Sequence, residues 1–328
     1  MKKTLELLLI LILSLSFLLS CKNNETPGEK TDINVAVLNG STGFGMAYLM
    51  EQDENNLANN NYSFSIHTSP SEIQTLLLNG SVDIAALSTT KASTIYNESN
   101  GQIKVISLNT LGVLYLVENG TQTINSIKDL EGKTIYCPGD PSPILKALLN
   151  KNNIQATIDT TYKSPADLNK AVSAGALKNE NIIAVLPEPV LTGAMKANSN
   201  ITIRLDLTKE WQDIEDSPLV QGCVVARTNF INENPEAVAK FLNEYKASIE
   251  FLQNNNAETA ALVYKHGIHA NENIAKLAIP KCNVTYIDGE EMQTTLYSFL
   301  NAIYSVVPSN IGGKLPNNNF YYIAEWKN

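Results

Sequence analysis

The chemically reactive side chains of this 328-residue chain are few and form no known catalytic pattern. The histidines are His67, His266 and His269, and the sequence contains neither a Gly-x-Ser-x-Gly nucleophile turn nor a Cys-x-x-Cys pair. His266 and His269 lack the spacing of a helical ligand pair and fall in what the sequence indicates is a surface turn. The sequence therefore predicts no catalytic triad, no metal site and no cofactor.

The remaining polar groups fall in the turns between strand-like and helix-like runs. Residues 33–38, 62–67 and 82–87 predict three strands, each followed by a helix pattern. The helix after the second strand begins with Ser69-Pro70-Ser71-Glu72, which combines a serine N-cap, proline in the first helical position and an acid in the third. A βαβαβα order implies a parallel sheet covered on both faces.

The same order recurs further along the chain. Residues 133–137, 156–161 and 181–186 predict another three strands, and Ser164-Pro165-Ala166-Asp167 repeats the capped helix start. Two matching βαβαβα frames predict an α/β fold with two lobes, each a mostly parallel sheet flanked by helices. About 300 residues are also too many for a typical single core.

Two long extended runs, 105–118 and 219–227, are each long enough to pass from one lobe to the other. We therefore expect two crossover strands, with 32–110 and 222–328 in lobe I and 111–221 in lobe II. After about residue 229 the pattern is helical, with apolar residues such as Val238, Phe241 and Leu242 at spacings of three and four. This tail should pack on lobe I.

Ligands of open α/β sheets bind beyond the carboxyl ends of the strands, where helix N-termini offer unpaired N–H groups. The residues expected to contact a ligand are Ser41, Thr42, Gly43, Phe44, Ser69, Ser88, Thr89, Thr110, Asp140, Pro141, Ser142, Glu188 and Gln221. Each of them also fits an ordinary cap or turn, Ser69 above all. Asp140 fits either an N-cap or an acceptor for a ligand N–H group.

These groups also limit the chemistry of the ligand. Hydroxyls and turn amides suit a polar or anionic group, but Lys163 is the one basic side chain in the selected turns, which disfavours a doubly charged anion held by arginines. Asp140 and Glu188, with Phe44 and Tyr48 nearby, favour a heterocycle or a small organic acid.

The N-terminus predicts export. Residues 1–20 have two lysines before an apolar stretch at 7–19, which is shorter than the roughly 20 residues that span a bilayer, so a signal peptide is expected. Leu18-Leu19-Ser20-Cys21 resembles the lipobox of bacterial lipoproteins, which implies a lipidated Cys21 that anchors the protein on the outward face of a membrane. Secretion with a chance cysteine is the alternative. Residues 21–31 contain the lipidated cysteine and a polar tether.

Charge and cysteine content add two further expectations. A formal net charge of −9 without a long basic run argues against nucleic-acid binding, and against membrane binding beyond the lipid. Cys137, Cys223 and Cys282 remain after Cys21. Two readings stay open: a disulfide between Cys223 and Cys282 in the same lobe, or three small buried apolar side chains.

Four short segments carry a resemblance to a known family. They are Gly40-Ser41-Thr42-Gly43 and the segments 79–85, 129–135 and 234–238. In this order they resemble type II periplasmic binding proteins and, more narrowly, the ABC-importer subunits for nitrate, sulfonate, taurine and thiamine precursors, over residues 33–323. The resemblance implies a monomeric solute-binding subunit that closes its lobes on a small solute and delivers it to a permease and ATPase.

Two other functions remain as alternatives. Enzymes resembling the thiamine-precursor binders carry a cysteine-rich cluster that this sequence lacks, and a lipid anchor outside the cell separates an enzyme of that kind from its substrates. An adhesin that kept the fold is the other alternative. The choice of a binding function rests partly on analogy of fold.

Overall fold

In a computed structural model, the residues whose structure is described are 30–139, 141–173 and 181–324. The predicted signal peptide, Cys21, most of the tether and Asp140 lie outside them. Thr31–Asn328 form one compact unit. Among the described residues, every helix is too short or too polar to cross a bilayer.

The strands alternate with helices as the sequence predicts. The strands are β1 (Asp32–Leu38), β2 (Asn61–His67), β3 (Ile84–Ser88), β4 (Ile103–Leu111), β5 (Leu114–Gly120), β6 (Thr134–Tyr136), β7 (Thr157–Asp159), β8 (Asn181–Pro187), β9 (Ile201–Asp206), β10 (Val220–Arg227) and β11 (Val284–Ile287). The helices are α1 (Ser41–Phe44), α2 (Ala47–Glu54), α3 (Pro70–Leu78), α4 (Thr89–Glu98), α5 (Ser142–Lys151), α6 (Pro165–Ser173), α7 (Val190–Ala197), α8 (Leu207–Gln212), α9 (Thr228–Glu233), α10 (Pro235–Asn254), α11 (Asn256–Lys265), α12 (Glu272–Ala278) and α13 (Gly289–Tyr304).

Two sheets divide the chain into the two predicted lobes. Lobe I has the strand order β11-β4-β10-β3-β1-β2, and lobe II has β7-β6-β8-β5-β9. In both, three parallel strands (β2-β1-β3 and β7-β6-β8) are followed by one antiparallel strand, β10 or β5, and then by a strand, β4 or β9, that runs in the direction of the parallel set. The predicted two-lobed α/β fold is confirmed: each sheet is mixed, but most of its strands run in one direction, and only β10 and β11 in lobe I and β5 in lobe II run against them.

The two passages between the lobes differ from each other. β4 ends at Leu111 in the lobe I sheet and β5 starts at Leu114 in the lobe II sheet, so the first passage is only Gly112 and Val113. The second run expected to cross, 219–227, lies instead within lobe I as β10. The chain returns through the segment 213–219 after α8, since β9 still belongs to lobe II.

The C-terminal part departs from the prediction in two ways. It is not wholly helical, because β11 pairs with β4 at the edge of the lobe I sheet. Moreover, α13 contacts β4 and β10 of lobe I and also α5 of lobe II. The rings of Phe299 on α13 and Trp211 on α8 lie 5.5 Å apart. One apolar cluster therefore extends across both lobes along α13, with Met292, Leu296 and Trp211 among its members.

Alternation along the strands places two apolar layers on opposite faces of the lobe I sheet. Val35 and Val37 belong to the cluster under α2 and α10, whereas Ala36 belongs to the cluster that includes α3, α4 and α13. Cys223 lies in the second of these clusters and Cys282 in the first. The disulfide considered between them is therefore a wrong expectation, because the two buried thiols are free and lie on opposite sides of the sheet. Cys137 in lobe II is also a buried free thiol.

The two Ser-Pro-x-acid helix starts also differ. Ser164 and Asp167 form the expected reciprocal contact: the Asp167 N–H donates to Ser164 Oγ at 3.1 Å, and that hydroxyl donates to the Asp167 carboxylate at 2.7 Å. Ser69 occupies the N-cap position of α3, but its side chain makes no capping hydrogen bond. The Glu72 carboxylate, which the sequence assigned to the cap, instead pairs with a neighbouring histidine: Glu72 Oε2 lies 3.2 Å from His67 Nδ1.

Candidate functional site

The turns that follow the parallel strands of one lobe face those of the other. A methyl group built on Gly40, after β1, would lie 3.9 Å from Pro189 Cδ, after β8. Thr90, after β3, and Gly139, after β6, line one common cavity. The carboxyl ends of both parallel strand sets therefore border a single cleft, in the position that sheet topology predicts.

On one side this cleft is open. A cavity of about 270 Å³ lies between the two lobes, and its lining residues are Thr90, Lys91, Thr94, Gly139, Pro143, Ser309 and Asn310. We call this side the open edge. Its lining offers hydroxyls, an amide and the ammonium of Lys91, and no carboxylate among the described lining residues. Such a set suits a polar or anionic group on a small molecule.

The N-terminus of α4 forms one wall of the open edge. Ser88 is its N-cap residue, and the Ser88 hydroxyl is buried without a hydrogen-bond partner in the described part of the chain. The next hydroxyl is used internally, because Thr89 Oγ1 donates to the Val220 carbonyl at 2.7 Å. The first-turn N–H groups and the Lys91 side chain together make this helix end electropositive.

The floor of the cleft is a polar network between the strands near the passages. Asn109 Nδ2 donates to the Thr42 carbonyl at 3.1 Å, and the Thr110 hydroxyl donates to Asn109 Oδ1 at 3.1 Å. Gln221 Oε1 accepts from the Val113 N–H at 2.6 Å. Thr42, Thr110 and Gln221 thus belong to a network whose hydrogen bonds connect β4, β10 and α1 to one another and to the first passage, and their contact with a ligand stays a prediction.

Two glycines at this floor have no room for a side chain. A methyl group on Gly112 would lie 2.1 Å from Thr208 Oγ1 of lobe II. One on Gly222 would lie 2.3 Å from both Asn109 Oδ1 and Thr42 Cγ2. These separations are far below van der Waals contact, so glycine is what allows the first passage and β10 to pack so closely here.

On the opposite side the lobes touch, and we call this side the closed edge. It consists of Gly40, Ile274 and Lys281 of lobe I facing Pro189, Gly193 and Glu188 of lobe II. A methyl group on Gly193 of α7 would lie 3.9 Å from Ile274 Cγ2 of α12. The Lys281 ammonium lies 3.9 Å from Glu188 Oε1. The cleft is therefore shut along this side by residues of the protein itself.

Glu188 is held by its own lobe as well. Its carboxylate accepts the Thr192 N–H at 3.1 Å and the Thr192 hydroxyl at 2.9 Å, and its side chain is only 1% exposed. Burial, opposed by these hydrogen bonds and by Lys281, raises the pKa of Glu188 above its usual range. Tyr115 lies nearby, and burial together with the charges of Asp206 and Glu188 raises the pKa of Tyr115 to about 12.

Two other predicted contacts, Gly43 and Phe44, pack within lobe I and are not among the described lining residues of the cavity. Gly43 packs against Val37 and Leu38, where a methyl group would lie 2.5 Å from the Leu38 carbonyl oxygen. Phe44 is buried in the lobe I core and meets His269 edge-on, with 6.3 Å between the ring centroids. Burial lowers the pKa of His269.

Lobe II contributes the turn before α5 to the cavity. Pro141 is buried at the N-cap position of this helix, and the Ser142 hydroxyl donates to the Gly139 carbonyl at 2.7 Å. Ser142 therefore shapes the Gly139 turn that lines the cavity. Asp140, which lies between Gly139 and Ser142 in the sequence, is outside the described residues. In lobe I, Ser41 is half-buried at the start of α1.

None of the seven lining residues is among the predicted contacts. Thr90 and Gly139 belong to turns that the sequence selects, next to Thr89 and Asp140, whereas five lie outside those turns: Lys91, Thr94, Pro143, Ser309 and Asn310. Lys91 and Thr94 lie on α4, beyond the turn that was selected, and a polar first turn with a lysine was the available signal. Ser309 and Asn310 belong to the 3₁₀ turn Pro308–Ile311. Nothing in the local sequence indicates that this turn packs against α4.

Among the described residues, one cluster outside the cleft has ligand types that can hold a metal. Glu51, Glu54 and His266 place their donor atoms within 4.8 Å of one another. The Lys265 ammonium bonds to Glu51 and lies 2.9 Å from the Glu54 carboxylate, while the two His266 ring nitrogens face Glu51 at 3.2 Å and Glu54 at 3.5 Å. The Lys265 ammonium thus neutralises the two carboxylates, and the two His266 ring nitrogens point toward different carboxylates. We therefore assign no metal there.

Comparison with known proteins gives one family. The model of the NMT1/THI5-like family matches residues 64–259, which is more than half of the chain. No curated protein sequence matches the chain.

Solved structures share the fold over nearly the whole length. An ABC transporter protein from Parabacteroides distasonis is 24% identical with a TM-score of 0.74, over 91% of this chain and 100% of that one. The periplasmic aliphatic sulphonate binding protein SsuA from Escherichia coli is 13% identical with a TM-score of 0.69, over 92% and 96%. The alkanesulfonate-binding protein SsuA from Xanthomonas axonopodis pv. citri, bound to MOPS, is 11% identical with a TM-score of 0.67, over 88% and 96%. The two-lobed periplasmic binding protein fold is therefore shared with these proteins.

Proposed function

The chain belongs to the NMT1/THI5-like family, and from that premise we propose that it captures a small solute between its lobes as the binding subunit of an ABC importer. The observation that carries this proposal is the polar cavity of about 270 Å³ at the open edge, lined from both lobes. Its volume suits a small molecule, and its walls lie where α/β sheets bind ligands. Closure of the lobes on the solute and delivery to a membrane permease are parts of the same proposal.

The polar groups at the open edge support a small organic acid as the solute. The Lys91 ammonium makes no hydrogen bond or ion pair within the described structure, and the Ser88 hydroxyl lacks a partner as well. Both lie at the start of α4, where the helix end favours negative charge. One cation, without an arginine beside it in the lining, suits a single negative charge. The sulfonate-binding proteins that share the fold are consistent with this choice.

The experiment that tests the proposal begins with the mature chain, residues 21–328, purified without denaturant from its own host. Native mass spectrometry should show one bound small molecule per chain, and calorimetry with that compound should give one site. The recovered molecule should be unchanged after long incubation, which separates a binding protein from an enzyme. Failure to retain or rebind any small molecule would favour the adhesin alternative, and conversion of the compound would favour an enzyme.

We also propose that Cys21 carries lipid and holds the protein on the outward face of a membrane. The apolar stretch 7–19 and the Leu18-Leu19-Ser20-Cys21 run support this. The intact mass of the membrane-extracted protein should equal residues 21–328 plus acyl chains. Cys21→Ala should move the protein from the membrane to the soluble fraction, and an unchanged membrane fraction would contradict the anchor.

A further inference from the structure

Glu188 of lobe II is a buried carboxylate that faces lobe I across the closed edge. Within its own lobe it is bonded by the Thr192 N–H and hydroxyl. From lobe I, Lys281 approaches Glu188 Oε1 at 3.9 Å, and the Glu188 charge acts on the buried thiol of Cys282. The side chain of Glu188 is 1% exposed, whereas that of Lys281 is 53% exposed.

The lobe I segment that faces Glu188 is also connected to the passage between the lobes. Asn283, two residues after Lys281, accepts the Leu111 N–H on its carbonyl oxygen at 3.1 Å. The Asn283 side-chain amide donates to the Gly112 carbonyl. Movement of one lobe about Gly112 would therefore move Lys281 and Cys282 relative to Glu188.

The balance of forces on Glu188 disfavours its charge in the closed arrangement. An ammonium at 3.9 Å that is half in water gives modest attraction, while removing a carboxylate from water is expensive. Burial is accordingly the largest influence, and the pKa of Glu188 is raised in spite of Thr192 and Lys281. The other titratable groups close by are Cys282 and Tyr115, whose pKa values are also raised by burial, so they stay neutral in acidic and neutral solution.

We propose that Glu188 couples closure of the cleft to uptake of a proton, with Lys281 as the positioning residue that makes the ionised form tolerable. This inference rests on the proposed function, because closure is the step that captures the solute. Opening would move Lys281 and Cys282 away and let water reach the carboxylate, which returns its pKa toward the usual range.

The direction of the effect follows from proton linkage. A carboxyl group whose pKa is higher in the closed form binds its proton more tightly there. Closure is therefore favoured as the pH falls through the raised pKa of Glu188, and that advantage is lost as the pH rises through it. Above that pH the closed form holds an ionised carboxylate whose partner across the cleft is Lys281.

Distance measurements on the solute-free mature chain test this directly. Spin labels on Asn254→Cys in lobe I and Lys196→Cys in lobe II occupy exposed positions, and the native thiols in the described structure are buried. Pulsed dipolar spectroscopy from pH 4 to pH 8 would then report the closed fraction. The variants are Glu188→Gln and Lys281→Met, with Lys276→Met as the control, since Lys276 is exposed on α12 and forms no ion pair in the described structure.

The closed fraction of the unaltered protein should rise as the pH falls. In Glu188→Gln it should be high and independent of pH, and in Lys281→Met the closed-to-open ratio at neutral pH should fall by roughly fivefold. Lys276→Met should follow the unaltered protein. A pH response that survives in Glu188→Gln, or equal behaviour of Lys281→Met and Lys276→Met, would overturn the coupling. Because no solute is present, these results are independent of whether a bound solute is ever found.

Discussion

The open edge and the closed edge of the cleft use similar residue types in opposite ways. At the closed edge, the Glu188 carboxylate accepts two hydrogen bonds from Thr192 and faces Lys281 across the lobes. At the open edge, the Lys91 ammonium lines a cavity and the Ser88 hydroxyl has no partner within the described structure. A group whose hydrogen bonds are already made inside the protein is not available to a ligand, whereas an unpaired ammonium at a cavity is.

This difference explains why helix N-termini alone are poor guides to the ligand contacts. Thr89 and Ser88 are adjacent at the start of α4, yet one hydroxyl is bonded to β10 and the other is unpaired. The same comparison predicts that substitution of an unpaired group lowers affinity, whereas substitution of a bonded or closely packed group lowers stability. Three pairs of variants test it, from the largest expected effect to the smallest.

Replacing Lys91 with methionine should cause the largest loss of affinity. A charge-assisted hydrogen bond is worth about 1.5–3 kcal/mol, so the dissociation constant for the recovered solute should rise roughly 10- to 150-fold. The free energy of unfolding should change by less than about 0.5 kcal/mol, because the side chain holds nothing else. Calorimetry and urea titration measure the two quantities.

Lys146→Met is the matched control, because Lys146 is exposed on α5 outside the cavity lining. Its affinity should equal that of the unaltered protein. Equal losses in both variants would mean that general charge, and not the open edge, attracts the solute.

An added methyl group at the passage between the edges should mainly reduce stability. In Gly112→Ala the new methyl carbon would overlap Thr208, and overpacking of this kind typically costs about 1–3 kcal/mol. Gly139→Ala is the control, since a methyl group there meets no atom within 4 Å. Urea unfolding should show a lowered midpoint for Gly112→Ala alone. If Gly139→Ala is destabilised as much, the close contact at Gly112 is not the cause.

The adjacent residues Thr89 and Ser88 should give the smallest but most selective pair of effects. Thr89→Val leaves the buried Val220 carbonyl without its donor and should lower the free energy of unfolding by about 1 kcal/mol. Ser88→Ala removes an unpaired hydroxyl, so the stability of the solute-free protein should be equal or slightly higher. Affinity should fall more in Ser88→Ala than in Thr89→Val. The reverse order would place the solute away from the start of α4.

The fold was predictable because its signals are local. Alternation in the strands and the two Ser-Pro-x-acid turns are written in short segments, and the repeated frame fixes the two lobes. β11 was missed because four residues carry too little pattern, and its pairing with β4 makes it a strand. The disulfide expectation was wrong because membership of one lobe does not specify which face of the sheet a cysteine occupies.

The candidate site was predictable only as a region. The turns of Ser88 and Gly139 do border the cavity, but Lys91 and Asn310 enter it through contacts between segments far apart in sequence. Gln221 and Val113 illustrate the same limit, since their hydrogen bond joins residues 108 positions apart. Which polar group is used internally depends on such partners, and sequence patterns do not contain them.

A crystal structure of the mature chain with its recovered solute tests the central claim most directly, because it shows which polar groups of the cleft the solute uses. The solute should lie in the cavity between Lys91 of lobe I and Gly139 of lobe II, with its polar or anionic end within hydrogen-bond distance of the Lys91 ammonium or the first-turn N–H groups of α4. Both lobes should contact it. A solute held by one lobe alone, or bound outside the cleft, would contradict capture between the lobes.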